Sequence, residues 1–205
     1  MTYPNTSIRV VGGHRLQGKV VAAGAKNAIL PILASTIMLD GETMLHNIPE
    51  LADVNNMIRM LNALNVRTEY GINDNVHCLN TKKIKHLAPY ELVTAMRASF
   101  FVAGPLVAKT GYAKVPLPGG CSIGTRPVDI HLKGFRELGI EVSFEHGFVE
   151  LKASSIKGEK VRLSFPSVGA TENIMMAACL ASGETVIENA AREPEIIDLA
   201  SFLTQ

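Results

Sequence analysis

The sequence predicts a mixed α/β fold built from repeated units, and three observations support this fold class. Segments with helical periodicity alternate along the 205 residues with short strand-like segments. Hydrophobic residues make up 47% of the chain, which suffices for a sizeable core and excludes general disorder. The same order of helix, glycine-initiated strand and helix also returns along the chain, which is typical of repeated supersecondary units.

The first unit is predicted to begin with two strands and to continue through two helices. Residues 7–11 and 18–22 are rich in Ile and Val and are therefore predicted as strands. Helical spacing of apolar residues covers residues 25–39, and a strand is predicted at 44–47. Asp53 is the predicted N-cap of the second helix. The apolar face of that helix carries Val54, Met57, Ile58, Leu61 and Leu64.

Two more units are predicted to follow in the same order. Short strands within residues 66–79 complete the first unit. The second unit is predicted to contain a helix over residues 89–100, a helix from residue 128 and a hairpin at 145–151. A helix over residues 170–181 begins the third unit, whose other elements follow it in the order of the first unit.

A constant offset in residue number relates the first unit to the third. The Gly-Glu-Thr triplet at residues 41–43 reappears at 183–185, and Asn47 corresponds to Asn189. At this offset Gln205 falls at the position of Ala63, before the strands that close the first unit. We therefore expect the third unit to be incomplete at its C-terminal end.

Charge and cysteine content exclude several classes of protein. Lys and Arg number 20 against 19 Asp and Glu, so the chain lacks the charge excess typical of nucleic-acid or anionic-membrane binding. Cys78, Cys121 and Cys179 are too few and wrongly spaced for a disulfide scaffold or a zinc site. Without a signal-peptide pattern or a long apolar segment, the sequence predicts a cytoplasmic protein. Cys78 and Cys179 lie in apolar segments and are predicted to be buried.

A glycine-rich loop around Cys121 is the sharpest local motif. Its three glycines allow the backbone to approach a ligand closely. Arg126, a little further along the chain, is placed to lower the pKa of the thiol or to hold an anion with two hydrogen bonds. A glycine-rich turn that carries an incidental thiol is the alternative interpretation.

Two predicted helix starts are candidate anion sites. Lys26 and Asn27 follow Gly24 where a turn enters a helix, so free N–H groups and an ammonium group meet there. Residues 167–171 open the third unit's helix in a similar way. The alternatives are an exposed Lys at the first start and a plain Ser N-cap at Ser167.

The repeat adds Arg97 to these candidates. Arg97 precedes Gly111 by the same number of positions as Asn27 precedes Gly41, so both are predicted at matching ends of equivalent helices. Neither a P-loop nor a dinucleotide-binding glycine motif occurs in the sequence, and no cofactor or metal is predicted.

At these motifs the sequence resembles the enolpyruvyl transferases that act on UDP-N-acetylglucosamine. The matching segments are GAKNA at 24–28, MRAS at 96–99, PGGCSIG at 118–124, RPVD at 126–129, SVGAT at 167–171 and ENAAREPE at 188–195. They follow the family's order and cover almost the whole chain. The sister family that acts on shikimate 3-phosphate shares the fold but lacks the cysteine loop.

The resemblance implies an inside-out α/β barrel of two similar domains, each built from three related units, with substrates between them. Residues 21–205 would form the first domain, incomplete at its C-terminal end. Residues 1–20 would pack on the second domain. The family's chains are about twice as long, and their second half supplies an aspartate base and a further arginine. The resemblance therefore predicts that this chain alone is inactive. The alternative is a non-catalytic protein of this family that binds a UDP-sugar or a protein partner.

The resemblance also implies roles for individual residues. Lys26, Asn27 and Arg126 would bind phosphoenolpyruvate, and Lys26 and Arg126 would also take part in catalysis. Cys121 would donate a proton, add covalently to phosphoenolpyruvate and be alkylated by fosfomycin. The residues that would line the UDP-N-acetylglucosamine site are Arg97, Arg126, Pro127, Val128, Asp129, Ile130, Ser167, Val168 and Gly169. Phe165 stands where some family members have a Lys, which would remove one diphosphate contact.

Overall fold

The structure is a computed structural model that describes residues 7–71, 75–80, 83–117 and 128–205, with Ala95 and Arg97 described by their backbone alone. The helices of this part are α1 (Lys26–Ser35), α2 (Ala52–Ala63), α3 (Tyr90–Ala95), α4 (Ala103–Thr110), α5 (Asp129–Glu137), α6 (Val168–Ala178) and α7 (Pro194–Leu203). The 3-10 helix Thr36–Met38 follows α1, and the 3-10 helix Arg97–Val102 precedes α4. The strands are β1 (Gly41–Leu45), β2 (Arg67–Tyr70), β3 (Val76–Asn80), β4 (Tyr112–Pro116), β5 (Glu141–Glu145), β6 (Phe148–Lys152), β7 (Lys160–Arg162) and β8 (Val186–Glu188).

The strands form one small sheet in each unit. Antiparallel sheets have the orders β1-β3-β2 and β4-β6-β5, with Thr43 opposite Cys78 and Val115 opposite Val149. In the third unit β7 and β8 pair in parallel. A parallel bridge between Leu87 and Lys114 likewise places a parallel partner segment beside β4 of the second sheet. The second and third units therefore share one pattern, in which a segment before the inner helix pairs in parallel with the strand after that helix.

The helices α1, α4 and α6 lie inside the molecule, and the sheets lie outside them. Leu33 in α1, Leu106 in α4 and Ile174 in α6 are fully buried, whereas most residues of β1 and β5 are exposed. The inner helix α6 packs against α4, and α7 packs against both α1 and α6. Burying helices beneath their own sheets is the inside-out α/β arrangement predicted above, and that prediction is confirmed.

The repeat between the first and third units is confirmed by backbone conformation as well as by element order. The offset that places Gly41 on Gly183 also places the start of α1 on the start of α6, and the start of α2 on the start of α7. Gly41 and Gly183 have φ values of 89° and 91°, and Asn47 and Asn189 have 58° and 55°. Left-handed residues at the same two points reproduce the same turns. The first and third units thus share one backbone design.

Two predicted strands and one predicted helix cap were wrong near the N-terminal part of the chain. Residues 7–25 form no strand, and Val20 is 95% exposed, because none of the described sheets pairs with this segment. High β-propensity does not form a strand without a partner strand. Leu51, not Asp53, is the N-cap of α2, and Asp53 lies in the first turn. Its carboxylate pairs with Lys26 instead of bonding the helix backbone.

The helix predicted over residues 89–100 was also wrong, because α3 ends at Ala95. Met96 is extended at φ −145° and ψ 124°, and a 3-10 helix starts after it. Ser99 donates its hydroxyl to the carbonyl of Leu92 at 3.0 Å, which favours a break over a continuous helix.

The two described cysteines differ in burial. Cys78 is buried as predicted, but the prediction for Cys179 was wrong, because α6 has ended at Ala178 and leaves Cys179 exposed. Within the described residues, no helix is both long enough and apolar enough to cross a membrane.

Candidate active site

The start of α1 combines a cation with an uncapped helix terminus. Ala25 is the N-cap and offers no side-chain acceptor, and no acidic residue lies in the first turn. The N–H groups of that turn therefore lack the usual side-chain partner, and the helix dipole is positive there. Lys26 adds its ammonium group at the same place. The backbone and the side chain together favour an anion.

Lys26 is paired with Asp53 across the first unit. Its Nζ lies 2.8 Å from Oδ2 of Asp53, and the two side chains are 46% and 36% exposed. An ion pair this accessible to water contributes at most about 1 kcal/mol. The ammonium group can therefore exchange Asp53 for an anionic ligand at small cost.

A cavity lies between the start of α1 and the start of α7. Its volume is about 340 Å³, which is in the range of small-molecule sites. Lys26 and Asn27 line it from α1, and Glu195 and Asp198 line it from α7. The remaining lining residues are Ala25, Ala28 and Pro194. The cavity thus presents one cation and one amide opposite two carboxylates.

The start of α6 carries a side-chain cap. Ser167 is the N-cap, and its Oγ accepts a hydrogen bond from the N–H of Ala170 at 3.3 Å. Thr171 donates its hydroxyl to the carbonyl of Ser167 at 2.8 Å and accepts from the N–H of Ala191 at 3.0 Å. The structure therefore shows Ser167 as the N-cap of α6.

A buried polar junction joins α6 to the second unit. The N–H of Gly104 donates to Oδ1 of Asn173 at 2.8 Å, and Nδ2 of Asn173 donates to the carbonyl of Phe100 at 2.9 Å. The same Nδ2 lies 3.2 Å from Nδ1 of His131 in α5. The His131 ring packs edge-on against the Phe100 ring, with centroids 5.4 Å apart. Gly169, in the first turn of α6, lies against His131.

The described residues among the predicted site residues divide into three groups. Lys26 and Asn27 lie at the cavity between α1 and α7. Residues 128–130 and 167–169 start α5 and α6, which pack together. The backbone of Arg97 begins the 3-10 helix that packs against α1 and α6. Cys121, Arg126 and Pro127 lie outside the described residues.

Sequence reasoning missed a buried acid, Glu172, in the second turn of α6. Its side chain is 1% exposed, and neither carboxylate oxygen has a hydrogen-bond partner within the described part of the chain. Burial, helped by the nearby charges of Glu195 and Glu193, raises the pKa of Glu172 to about 8. The repeat could have indicated that Glu172 is buried, because the equivalent positions of the first two units hold Leu30 and Phe100, which are both buried.

A second cavity, of about 750 Å³, lies where the inner helices of the first two units end. Lys109 on its wall donates to the carbonyl of Met38 at 3.1 Å and pairs with Asp40 at 2.7 Å. These contacts satisfy the end of the 3-10 helix that follows α1. None of the predicted site residues that the structure describes lines this cavity. Although this cavity is the larger of the two, the helix starts form the better candidate site.

Comparison with known proteins identifies the class and then the family. The enolpyruvyl transferase NikO from Streptomyces tendae matches with a TM-score of 0.79 at 18% identity, over 94% of this chain and 45% of that chain. EPSP synthase from Acinetobacter baumannii matches with a TM-score of 0.68 at 19% identity, over 88% and 42%. The fold is therefore that of the enolpyruvyl transferases. The profile of the EPSP synthase (3-phosphoshikimate 1-carboxyvinyltransferase) family matches residues 10–205, and the chain belongs to this family.

Curated relatives narrow the resemblance within the family. UDP-N-acetylglucosamine 1-carboxyvinyltransferase 2 of Carboxydothermus hydrogenoformans is 54% identical over 195 residues, which are 95% of this chain and 46% of that protein. UDP-N-acetylglucosamine 1-carboxyvinyltransferase of Gloeobacter violaceus is 50% identical over 196 residues, at 95% and 42%. The chain spans about half the length of the curated relatives it matches. The resemblance predicted from the motifs is confirmed.

Proposed function

We propose that this chain is part of an enzyme that transfers the enolpyruvyl group of phosphoenolpyruvate to the 3-hydroxyl of UDP-N-acetylglucosamine. The product is an enolpyruvyl ether of the sugar, and phosphate is released in what would be the first committed step of peptidoglycan synthesis. The observation that carries the proposal is the identity of about one half to relatives named for this reaction. We place the enzyme in the cytoplasm and assign residues 21–205 to the first of its two domains.

The start of α1 is the proposed site for phosphoenolpyruvate. Lys26 and Asn27 line a cavity at an uncapped helix terminus, where the N–H groups and the ammonium favour phosphate and carboxylate groups. Release of Lys26 from Asp53 would accompany binding. Arg126, which lies outside the described residues, would hold the other end of the substrate.

The starts of α5 and α6 are the proposed site for the UDP-sugar. Asp129 and Ile130 would contact it from α5, and residues 167–169 from α6, together with Arg97, Pro127 and Val128. The packing of α5 on α6 and the buried junction at Asn173 support a common site for these segments.

The chemistry would proceed by addition and elimination. The sugar oxygen forms a bond to C2 of phosphoenolpyruvate, its hydroxyl proton goes to a base, and C3 receives a proton from the thiol of Cys121. The resulting tetrahedral ketal then loses a proton from C3 as the C2–O bond to phosphate breaks. Lys26 and Arg126 would stabilise the negative charge of the phosphate and carboxylate through both steps. The base would be the aspartate in the part of the enzyme beyond this chain.

Phosphate release by the full product of the gene tests the proposal. We expect release that requires both phosphoenolpyruvate and UDP-N-acetylglucosamine, and loss of fosfomycin labelling in the Cys121→Ala variant. The present chain alone is expected to show no turnover. Release with shikimate 3-phosphate in place of the UDP-sugar would overturn the substrate assignment. Binding of UDP-N-acetylglucosamine by the full product without any turnover would instead indicate a non-catalytic binding protein.

A further inference from the structure

The orientation of the Asn173 amide follows from its backbone partners. The N–H of Gly104 can only donate, so the Asn173 atom 2.8 Å away must be the oxygen. The NH₂ group then points at the carbonyl of Phe100, which can only accept, at 2.9 Å. Two independent backbone groups therefore agree on one orientation of the amide.

This orientation determines the protonation state of His131. The NH₂ group of Asn173 lies 3.2 Å from Nδ1 of His131 and can only donate to it. Nδ1 must therefore accept, which places the ring proton on Nε2 and leaves the ring neutral. A protonated ring would set two donors against each other in a buried position.

The other edge of the His131 ring faces the first turn of α6. A Cβ atom placed on Gly169 would lie 3.3 Å from Cε1 and 3.6 Å from Nε2 of His131. Phe101 packs against the same glycine, with its Cε1 atom 3.4 Å from that point. His131 thus fills the space between the start of α6 and the 3-10 helix Arg97–Val102.

We propose that His131, as the neutral Nε2–H tautomer, is a positioning residue for the UDP-sugar site. This inference rests on the proposed function, which assigns the UDP-sugar to three separate segments. Ile130 directly precedes His131, Gly169 contacts its ring, and Arg97 begins the 3-10 helix that holds Phe100. His131 and Asn173 fix these three segments at one spacing.

The repeat indicates that this polar pair does more than fill space. Asn65 and Gly139 follow the second helices of the first two units and have φ values of 73° and 80°. When these two residues are aligned, His131 falls at the position of Met57. Met57 is fully buried. The offset between the first and third units aligns Asn173 with Pro31. Apolar residues satisfy the packing in the first unit, so the polar pair serves a purpose particular to this junction.

Two substitutions separate the roles of the two ring nitrogens. In His131→Asn the side-chain oxygen takes the place of Nδ1 and still accepts from Asn173. In His131→Gln the amide reaches the place of Nε2, and the acceptor for Asn173 is lost. A third variant, His131→Met, restores the apolar residue of the first unit.

Steady-state kinetics of the full product of the gene tests the proposal. We expect His131→Gln and His131→Met to raise the KM for UDP-N-acetylglucosamine about tenfold or more, and the KM for phosphoenolpyruvate less than about threefold. His131→Asn should recover most of the wild-type KM. Asn80→Ala is the matched control, because Asn80 is also a buried amide that donates two hydrogen bonds, to the carbonyls of Ile37 and Leu39. It should lower stability and leave both KM values near wild type.

Nitrogen-15 NMR of histidine-labelled full product tests the tautomer independently of activity. We expect the His131 ring to show the Nε2–H pattern at neutral pH, and the His131→Gln spectrum identifies its signals by their loss. A protonated ring, an Nδ1–H pattern or wild-type KM values in the Gln and Met variants would overturn the inference. If the wild-type product fails to bind or turn over the UDP-sugar, the proposed function fails and the positioning role with it. If the wild-type product turns over the UDP-sugar and the Gln and Met variants of His131 have wild-type KM values, this inference alone fails.

Discussion

The first helix of the first unit and the first helix of the third unit share a backbone but differ in chemistry. Ala25 and Ser167 precede them with nearly the same conformation, at φ −80° and ψ 122° and at φ −80° and ψ 120°. Ser167 caps its helix, whereas Ala25 leaves its helix uncapped and is followed by Lys26. One start therefore lacks a side-chain cap, and at the other start the side chain of Ser167 caps one N–H group.

The difference extends into the second turn of each helix. Leu30 and Pro31 in α1 correspond to Glu172 and Asn173 in α6. Asn173 ties α6 to the second unit, and Glu172 is a buried acid without a hydrogen-bond partner among the described residues. The repeat thus provides one scaffold twice. The first copy carries an accessible cation at its start, and the third copy carries contacts that hold the units together.

The largest expected effect is on the open helix start. Lys26→Ala should lower kcat/KM for phosphoenolpyruvate by about 10²–10³-fold in the full product of the gene, because it removes a charge that the proposed substrate needs. Lys133→Ala is the matched control, since Lys133 is also a half-exposed helical Lys with a carboxylate partner, Glu137, at 3.4 Å. It should change kcat/KM by less than about twofold. Equal losses in both variants would show that Lys26 acts only as a surface charge.

Local patterns predicted the helix starts at Lys26 and Ser167, because glycine turns, caps and helical periodicity are written in consecutive residues. The repeat between the first and third units predicted which starts are equivalent. The pair of Lys26 with Asp53 and the contact of His131 with Asn173 were not predicted, since they join residues 27 and 42 positions apart. Such contacts depend on how units pack, which no local pattern specifies.

The strand prediction for residues 7–22 was wrong for a related reason. Its Ile and Val residues have the propensity for strands, but a strand also needs a partner edge, which is a property of the whole fold. The Cys121 loop and Arg126 stay predictions, because they lie outside the described residues. The architecture could therefore be predicted from repeats and periodicity, whereas the contacts that join the units could not.

The contact that anchors α6 to the second unit gives the next prediction. A Cβ on Gly104 would clash with the backbone oxygen of Asn173 and would lie 2.6 Å from its Oδ1. Because a backbone atom cannot move aside cheaply, Gly104→Ala should lower the free energy of unfolding by about 2–4 kcal/mol. Urea unfolding measures this change. Gly12→Ala, with nothing within 4 Å of the added atom, is the control and should change stability by less than about 0.5 kcal/mol.

Glu172 provides a smaller effect that depends on pH. Its pKa is about 8 in the folded protein against an ordinary value of 4.5, so the folded state binds more protons between these values. The contribution of Glu172 to stability is therefore complete below about pH 4.5 and is lost as the pH rises through about 8. Glu172→Gln removes this loss because its amide cannot ionise.

We expect Glu172→Gln to raise the free energy of unfolding by about 2 kcal/mol at pH 8 relative to wild type, and the difference to shrink towards pH 5. Glu172→Leu, which copies Leu30 of the first unit, should show the same direction. Glu159→Gln in the exposed part of the third unit is the control and should show no such trend. A difference that grew as the pH fell would mean that Glu172 is stabilised as a carboxylate.

The smallest expected effect comes from exchanging the two helix caps. Ser167→Ala should lower the free energy of unfolding by about 1 kcal/mol, because the N–H of Ala170 loses its acceptor. Ala25→Ser should raise it by about 0.5–1 kcal/mol, since residue 25 already has the conformation of Ser167 and its hydroxyl would reach the N–H of Ala28. The same hydroxyl would occupy a group that we assign to the substrate anion, so the KM for phosphoenolpyruvate should rise a few-fold while stability increases. A gain in stability with an unchanged KM would mean that the anion does not use the backbone of this helix start, and that the two starts differ through Lys26 alone.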